Sequence, residues 1–129
     1  MIEELIPDDI RQFILSSIDS IAQLEALLLL RGHPQEAWNV AAVARRLYIT
    51  EHEALPLLAH LCEQGLVVLR DPKATEFAYQ PQSDQLTQLV DRLAELYAKH
   101  LVPVTNLIHS KPRTRIQEFA DAFRLRKDE

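Results

Sequence analysis

The 129-residue sequence has little glycine, little cysteine and no long apolar run. Two glycines leave little material for tight hairpin turns or for a glycine-rich phosphate loop. The single Cys62 excludes an intrachain disulfide and suits a reducing compartment. The longest apolar run, Ala26 to Leu30, is far too short to cross a bilayer, and no signal peptide opens the chain. We therefore expect a soluble cytoplasmic protein.

Catalytic and metal-binding patterns are also missing. No histidine pair has the i, i+4 spacing of a helical zinc site, and no cysteine pair exists. Cys62 lacks a neighbouring histidine or a helix N-terminus that would activate its thiol, so we expect it to be buried and inert. The sequence predicts no enzyme activity, no cofactor and no metal.

The composition is that of one globular domain, residues 1–129. Apolar residues make up 47% and charged residues 26%, which is an ordinary globular balance. The formal net charge of −5 argues against a general polyanion binder, yet it leaves room for a local basic patch.

Two helices are predicted near the N-terminus. The first spans about Pro7–Ser16, because proline and acidic residues suit a first helical turn. The second starts at Ser20, which forms a capping-box pattern with Gln23. Gly32 is predicted to end it as a C-terminal cap, with Pro34 preventing continuation.

Two shorter helices follow, joined by a tight turn. Asn39 is a good N-cap for a helix that runs to about Leu47. Tyr48–Ile49 form the turn, Thr50 caps the next helix, and Gly65 ends it. The predicted core stripe of that second helix is Ala54, Leu58 and Leu61.

Only one stretch has a hairpin pattern. Residues 66–70 and 77–79 are predicted strands, and the turn-forming sequence between them contains Asp71 and Pro72. From Ser83 the pattern is helical again, and Pro103 should kink this helix or restart it. A last short helix is predicted around residues 116–123.

The long C-terminal helix carries an apolar seam with coiled-coil-like spacing. Its members are Leu86, Val90, Leu93, Tyr97, His100, Val104 and Leu107. The seam either packs onto the rest of the domain or pairs with a second copy of the chain. We expect a homodimer, because the apolar positions exceed what one narrow contact needs.

The order helix, helix, turn, helix, hairpin, helix is the winged-helix arrangement. About residues 20–80 resemble the winged helix-turn-helix of bacterial transcriptional regulators of the MarR and ArsR types. The positions that carry the resemblance are Val40, Val43, Ala44, Leu47, Ile49, Thr50, Leu61, Gly65, Leu66 and Val67.

The resemblance implies a mainly α fold: a helix-turn-helix with a two-stranded β-wing and flanking N- and C-terminal helices. Residues 17–82 would form the winged-helix core. Residues 83–129 would form a helical extension used for dimerisation. The implied function is DNA binding in transcription regulation.

The helix after the turn is the DNA reader in that family. By position, its outward residues here are His52, Glu53, Leu55 and Pro56, and this helix contains no Lys or Arg. Acids oppose phosphate contacts, although Glu can accept a hydrogen bond from cytosine. A mid-helix Pro56 implies a kink or a later helix start. Leu55 either faces a protein partner or packs under the C-terminal helix.

Cations do occur around this helix. Arg45 and Arg46 precede the turn, and Arg70 and Lys73 lie in or beside the wing. Further bases lie near the C-terminus: Lys111, Arg113, Arg115, Arg124, Arg126 and Lys127. They form either a phosphate-binding patch or a solvated face with salt bridges.

Two classes of function follow. The first is a dimeric winged-helix DNA-binding transcriptional regulator. The alternative is a winged-helix protein-interaction module that does not read DNA, which the acidic helix with its proline favours.

Overall fold

The computed structural model describes residues 5–110, which form a mainly helical winged-helix fold, as predicted. The predicted helix at 116–123 and the bases from Lys111 onward lie outside the described residues. Within them the elements follow this order: α1 Asp8–Ser17, α2 Ile21–Gly32, β1 Trp38–Asn39, α3 Val40–Leu47, α4 Glu51–Glu63, β2 Val67–Asp71, β3 Glu76–Tyr79, α5 Asp84–Lys99 and α6 at residues 101–110.

Side-chain caps define the starts of α2 and α3. The hydroxyl of Ser20 accepts from the Gln23 N–H at 3.1 Å, and the Asn39 side chain accepts from the Ala42 N–H at 2.8 Å. Each bond satisfies one of the donors left free at a helix start. The Gln23 side chain accepts from the Asp19 N–H, so the reciprocal half of the predicted capping box is displaced by one residue.

The two glycines have different roles. Gly65 has a φ of 75° and ends α4 in a Schellman motif, with the Leu66 N–H bonded to the Leu61 carbonyl at 3.1 Å. Gly32 is the last residue of α2 and has no positive φ, and the capping residue of α2 is His33, with φ −133° and ψ 62°. The helix α2 therefore ends at Gly32 as predicted, but Gly32 is not its cap, whereas the predicted glycine cap is correct for Gly65.

The wing contains one more strand than the sequence indicated. Its antiparallel order is β1-β3-β2, and Trp38 of β1 pairs with Phe77 of β3. Trp38 is buried and Asn39 is exposed. A two-residue strand carries no alternating pattern, so the sequence predicted only the β2–β3 hairpin.

The long C-terminal helix is interrupted and restarts just before Pro103, which is one of the two predicted outcomes. The helix α5 starts with a Ser83 cap on the Leu86 N–H at 3.1 Å and ends at Lys99. His100 leaves helical geometry with φ −132° and ψ 60°, and α6 begins at residue 101. Pro103 then lies in a first turn, where its missing N–H removes no helical hydrogen bond.

The apolar seam packs into the chain's own core. Val90, Leu93 and Val104 are fully buried in one cluster that reaches from Ile6 to Ile108. Three more seam residues pack against that cluster while partly buried: Leu86, Tyr97 and Leu107. The fully buried Val90, Leu93 and Val104 cannot also form a surface for a second copy, so the first of the two expected uses is observed for them. Pairing with a second copy stays a prediction for the partly exposed seam residues Leu86, Tyr97, His100 and Leu107.

Polar contacts fix α5 against the N-terminal helices. The Tyr97 hydroxyl lies 2.8 Å from a Glu25 carboxylate oxygen, and burial together with Glu25 raises the pKa of Tyr97 to about 12. The Arg92 guanidinium donates to both oxygens of Asp9. That contact lowers the pKa of the Asp9 carboxyl.

The two glycines give a matched test of backbone strain. A Cβ at Gly65 would lie 2.5 Å from the Gln82 side chain on a backbone with positive φ, whereas a Cβ at Gly32 meets nothing within 4 Å. We expect Gly65→Ala to lower the free energy of unfolding by about 1–3 kcal/mol. Gly32→Ala should raise it by up to about 1 kcal/mol. Urea unfolding followed by the fluorescence of the single Trp38 measures both, and equal effects would contradict the assignment.

Candidate nucleic-acid interface

The helix-turn-helix corner is built by a left-handed turn and a capping box. The helix α3 ends at Tyr48, whose φ is 58°. Thr50 then caps α4: its hydroxyl accepts from the Glu53 N–H at 3.1 Å, and the Glu53 carboxylate accepts from the Thr50 N–H at 3.3 Å. The Thr50 hydroxyl also donates to that carboxylate at 3.0 Å. The Glu53 carboxylate therefore stabilises the helix start.

The outer face of α4 is exposed to solvent. The predicted core stripe of Ala54, Leu58 and Leu61 is fully buried, as expected. The outward residues are all exposed: Glu51, His52, Glu53, Leu55 and Pro56. Leu55 is 46% exposed, so the expectation that it packs under the C-terminal helix is wrong.

Leu55 instead lines an open groove beside the wing. This groove has a volume of about 620 Å³ and lies between the starts of α3 and α4 and the wing turn. Its lining residues are Asn39, Val40, Ala41, Glu51, His52, Leu55, Ala74 and Thr75. The fold therefore brings the predicted contact residues His52 and Leu55 next to the wing.

Pro56 lies inside α4, which begins at Glu51, so the expected later start is wrong. The proline has no N–H to donate to the carbonyl of His52. Both residues are exposed, and water can reach that carbonyl. The capping box offsets part of the cost, because it anchors the turn that precedes the proline.

Four exposed cations on α3 and in the wing form no intrachain ion pairs within the described residues. Arg45, Arg46, Arg70 and Lys73 are all exposed, and within residues 5–110 none of them forms a salt bridge. The salt-bridged part of the solvated-face interpretation therefore does not apply to them. The Arg46 guanidinium lies 5.4 Å from the centre of the Trp38 ring, a cation–π contact that orients it.

The wing turn is ordered by an acid that the sequence did not single out. A carboxylate oxygen of Asp71 accepts from the N–H of Lys73 at 3.1 Å and from that of Ala74 at 3.3 Å. The turn pattern of Asp71 and Pro72 was the available signal. The Trp38 contact with Arg46 could not be found in this way, because β1 has no sequence pattern.

Across residues 5–110, no group of three His, Cys, Asp or Glu side chains could hold a metal ion. His60 lies 3.3 Å from Asp19, a contact between α4 and the α1–α2 turn. Cys62 is half-buried, and burial raises the pKa of its thiol, as does Glu63. In the same range no single helix could cross a membrane; α1 and α2 meet the length and hydropathy criteria only together, across a 107° bend.

Comparison with solved structures identifies the fold. A mutant of MepR from S. aureus is 16% identical, with a TM-score of 0.53 over 99% of this chain and 93% of that chain. The multiple antibiotic-resistance repressor MarR from Listeria monocytogenes is 22% identical, with a TM-score of 0.49 over 92% of this chain and 77% of that chain. No family model and no curated protein matches the sequence. The fold is the winged-helix fold of MarR-type regulators.

The two prolines in helices provide a second stability test. We expect Pro56→Ala to raise the free energy of unfolding by about 1–3 kcal/mol, because the His52 carbonyl regains its helical donor. Pro103→Ala is the matched control: that proline lies in a first turn, so its replacement should change stability by less than about 1 kcal/mol. Chemical unfolding of both variants measures the difference. A Pro56→Ala variant less stable than the parent would contradict this account of α4.

Proposed function

We propose that this protein is a winged-helix DNA-binding transcriptional regulator that acts in the cytoplasm as a homodimer. Residues 17–82 would form the DNA-binding unit and residues 83–129 the dimerisation extension. The observation that carries the proposal is the outer face of α4, which is exposed and lies beside the wing. A helix held in this way can enter a major groove.

The surrounding charges support phosphate contacts. Arg45 and Arg46 lie on the helix before the turn, and Arg70 and Lys73 lie on the wing side. All four are free of intrachain salt bridges within the described residues, so none breaks an ion pair on binding. Such contacts dominate the affinity of proteins for DNA.

The carboxylates on α4 repel DNA less strongly than their number implies. The Glu53 carboxylate is bonded to the Thr50 cap, and Glu51 lies at the positive end of the helix dipole. Glu63 lies at the opposite end of the helix, 3.8 Å from His60. Only Glu51 combines an exposed carboxylate with a place in the groove beside the wing.

The alternative function is a protein-interaction module with the same fold. The half-exposed Leu55 next to Pro56 and the net charge of −5 support it, since apolar surface and acidity suit a protein partner better than a duplex. We place it second because it gives the four free cations no role.

Duplex binding and its salt dependence test the proposal. We expect the full chain to bind a random duplex at about 50 mM salt, with an affinity that falls steeply as salt rises. Arg45→Ala should weaken binding and reduce the slope of log K against log salt by about one. Fluorescence anisotropy with a labelled duplex measures both quantities.

A matched control uses a cation far from the wing. Lys99→Ala removes the same charge from the end of α5, where Lys99 is bonded to Glu95 at 2.9 Å, and should leave the slope unchanged. Glu51→Lys should strengthen binding if α4 faces DNA, and it leaves the capping box intact, unlike a substitution of Glu53. Absence of binding at low salt, or no response to Glu51→Lys, would favour the protein-interaction module.

The dimer has its own test. Because Val90, Leu93 and Val104 of the seam are buried, the interface would need further apolar surface; Leu101 and Val102 at the start of α6 are 53% and 64% exposed. We expect light scattering after size exclusion to give about twice 14.8 kDa at tens of micromolar. Replacing both residues with serine should shift the protein toward monomer. A monomeric parent chain at that concentration would remove the dimer from the proposal.

A further inference from the structure

Tyr48 combines a left-handed backbone with an almost fully exposed ring. Its φ and ψ are 58° and 42°, and its side chain is 95% exposed. The backbone at this position is required by the fold: the Ile49 N–H reaches back to the Ala44 carbonyl at 3.0 Å, which closes the end of α3. The position therefore needs a left-handed residue but does not need a tyrosine.

The end of α4 has the same kind of turn and carries a glycine there. At the end of α4 the corresponding turn, with the Leu66 N–H on the Leu61 carbonyl, contains Gly65 with a φ of 75°. Glycine adopts this conformation without a steric penalty, whereas a residue with a Cβ does so at a cost in free energy. The end of α3 carries that cost.

The tyrosine side chain adds almost nothing to the stability of the fold. The ring buries almost no surface, and its hydroxyl makes no hydrogen bond to any described residue. An aromatic ring that contributes neither burial nor hydrogen bonding inside the chain is free to contact a partner. Tyrosine suits that role because its few rotatable bonds make ordering inexpensive.

We propose that Tyr48 contacts the DNA backbone, with its hydroxyl donating to a phosphate oxygen between the contacts of Arg45 and of the start of α4. This inference rests on the proposed DNA-binding function. The turn joins the two helices of the helix-turn-helix, so a duplex that receives α4 passes close to Tyr48. The carbonyl end of α3 repels a phosphate, and the nearby Arg45 and Arg46 together with the Tyr48 donor offset that repulsion.

Two substitutions separate the contact from the fold. Tyr48→Gly should unfold at the same or a higher urea concentration than the parent chain, because glycine fits the left-handed position. The same variant should bind a labelled random duplex about 5- to 10-fold more weakly at low salt. Tyr48→Phe removes only the hydroxyl and should weaken binding about threefold. Since the tyrosine hydroxyl carries no charge, its loss should not change the slope of log K against log salt, in contrast to Arg45→Ala.

Leu5→Ala controls for the loss of any exposed apolar side chain, because Leu5 is 38% exposed ahead of α1 and should not affect duplex binding. If the parent chain binds and Tyr48→Gly binds equally well, this inference is overturned while the proposed function stands, and the ring must face another partner such as a protein. If the parent chain does not bind, both fall together. A Tyr48→Gly variant that unfolds more easily than the parent would show that the ring serves the fold, which also overturns the inference.

Discussion

The capping box between Thr50 and Glu53 is the local interaction on which the candidate interface depends. It fixes the first residue of α4 even though Pro56 removes a hydrogen bond one turn later. With that start fixed, Leu58 and Leu61 fall on the buried face and the first turn falls next to the wing. A helix start one turn later would remove Glu51 and His52 from the groove.

Sequence patterns predicted those parts of the fold whose signals are local. Caps at Ser20, Asn39 and Thr50 and the glycine at Gly65 mark helix ends by chemistry that acts within a few residues, so their positions agree with the structure. The strand β1 was not predicted, because two residues are too few to show an alternating pattern and their pairing partner β3 is far along the chain. For the same reason no sequence argument could place Arg46 over Trp38.

The spacing of the apolar seam predicts that one face of the helix is buried, but it does not predict what that face packs against. Its spacing correctly indicates that α5 and α6 bury one face, but spacing is the same whether the partner is the chain itself or a second copy. The structure buries Val90, Leu93 and Val104 in one cluster with residues of α1, α2 and the wing strands β2 and β3. Which partner is used depends on the three-dimensional path of the chain, and a heptad count does not contain that path.

Charge counts along α4 are misleading for a related reason. A carboxylate that is hydrogen-bonded to a helix cap, as in Glu53, has its charge partly balanced by backbone N–H groups and by the helix dipole. Both ends of α4 are closed by such local bonds, with the Schellman motif at Gly65 as the second. These bonds hold both ends of α4 in place, and a surface that is already ordered loses less entropy when it docks. The acids and the glycine therefore contribute to the interface indirectly, by holding a free helical face in a fixed position beside the wing.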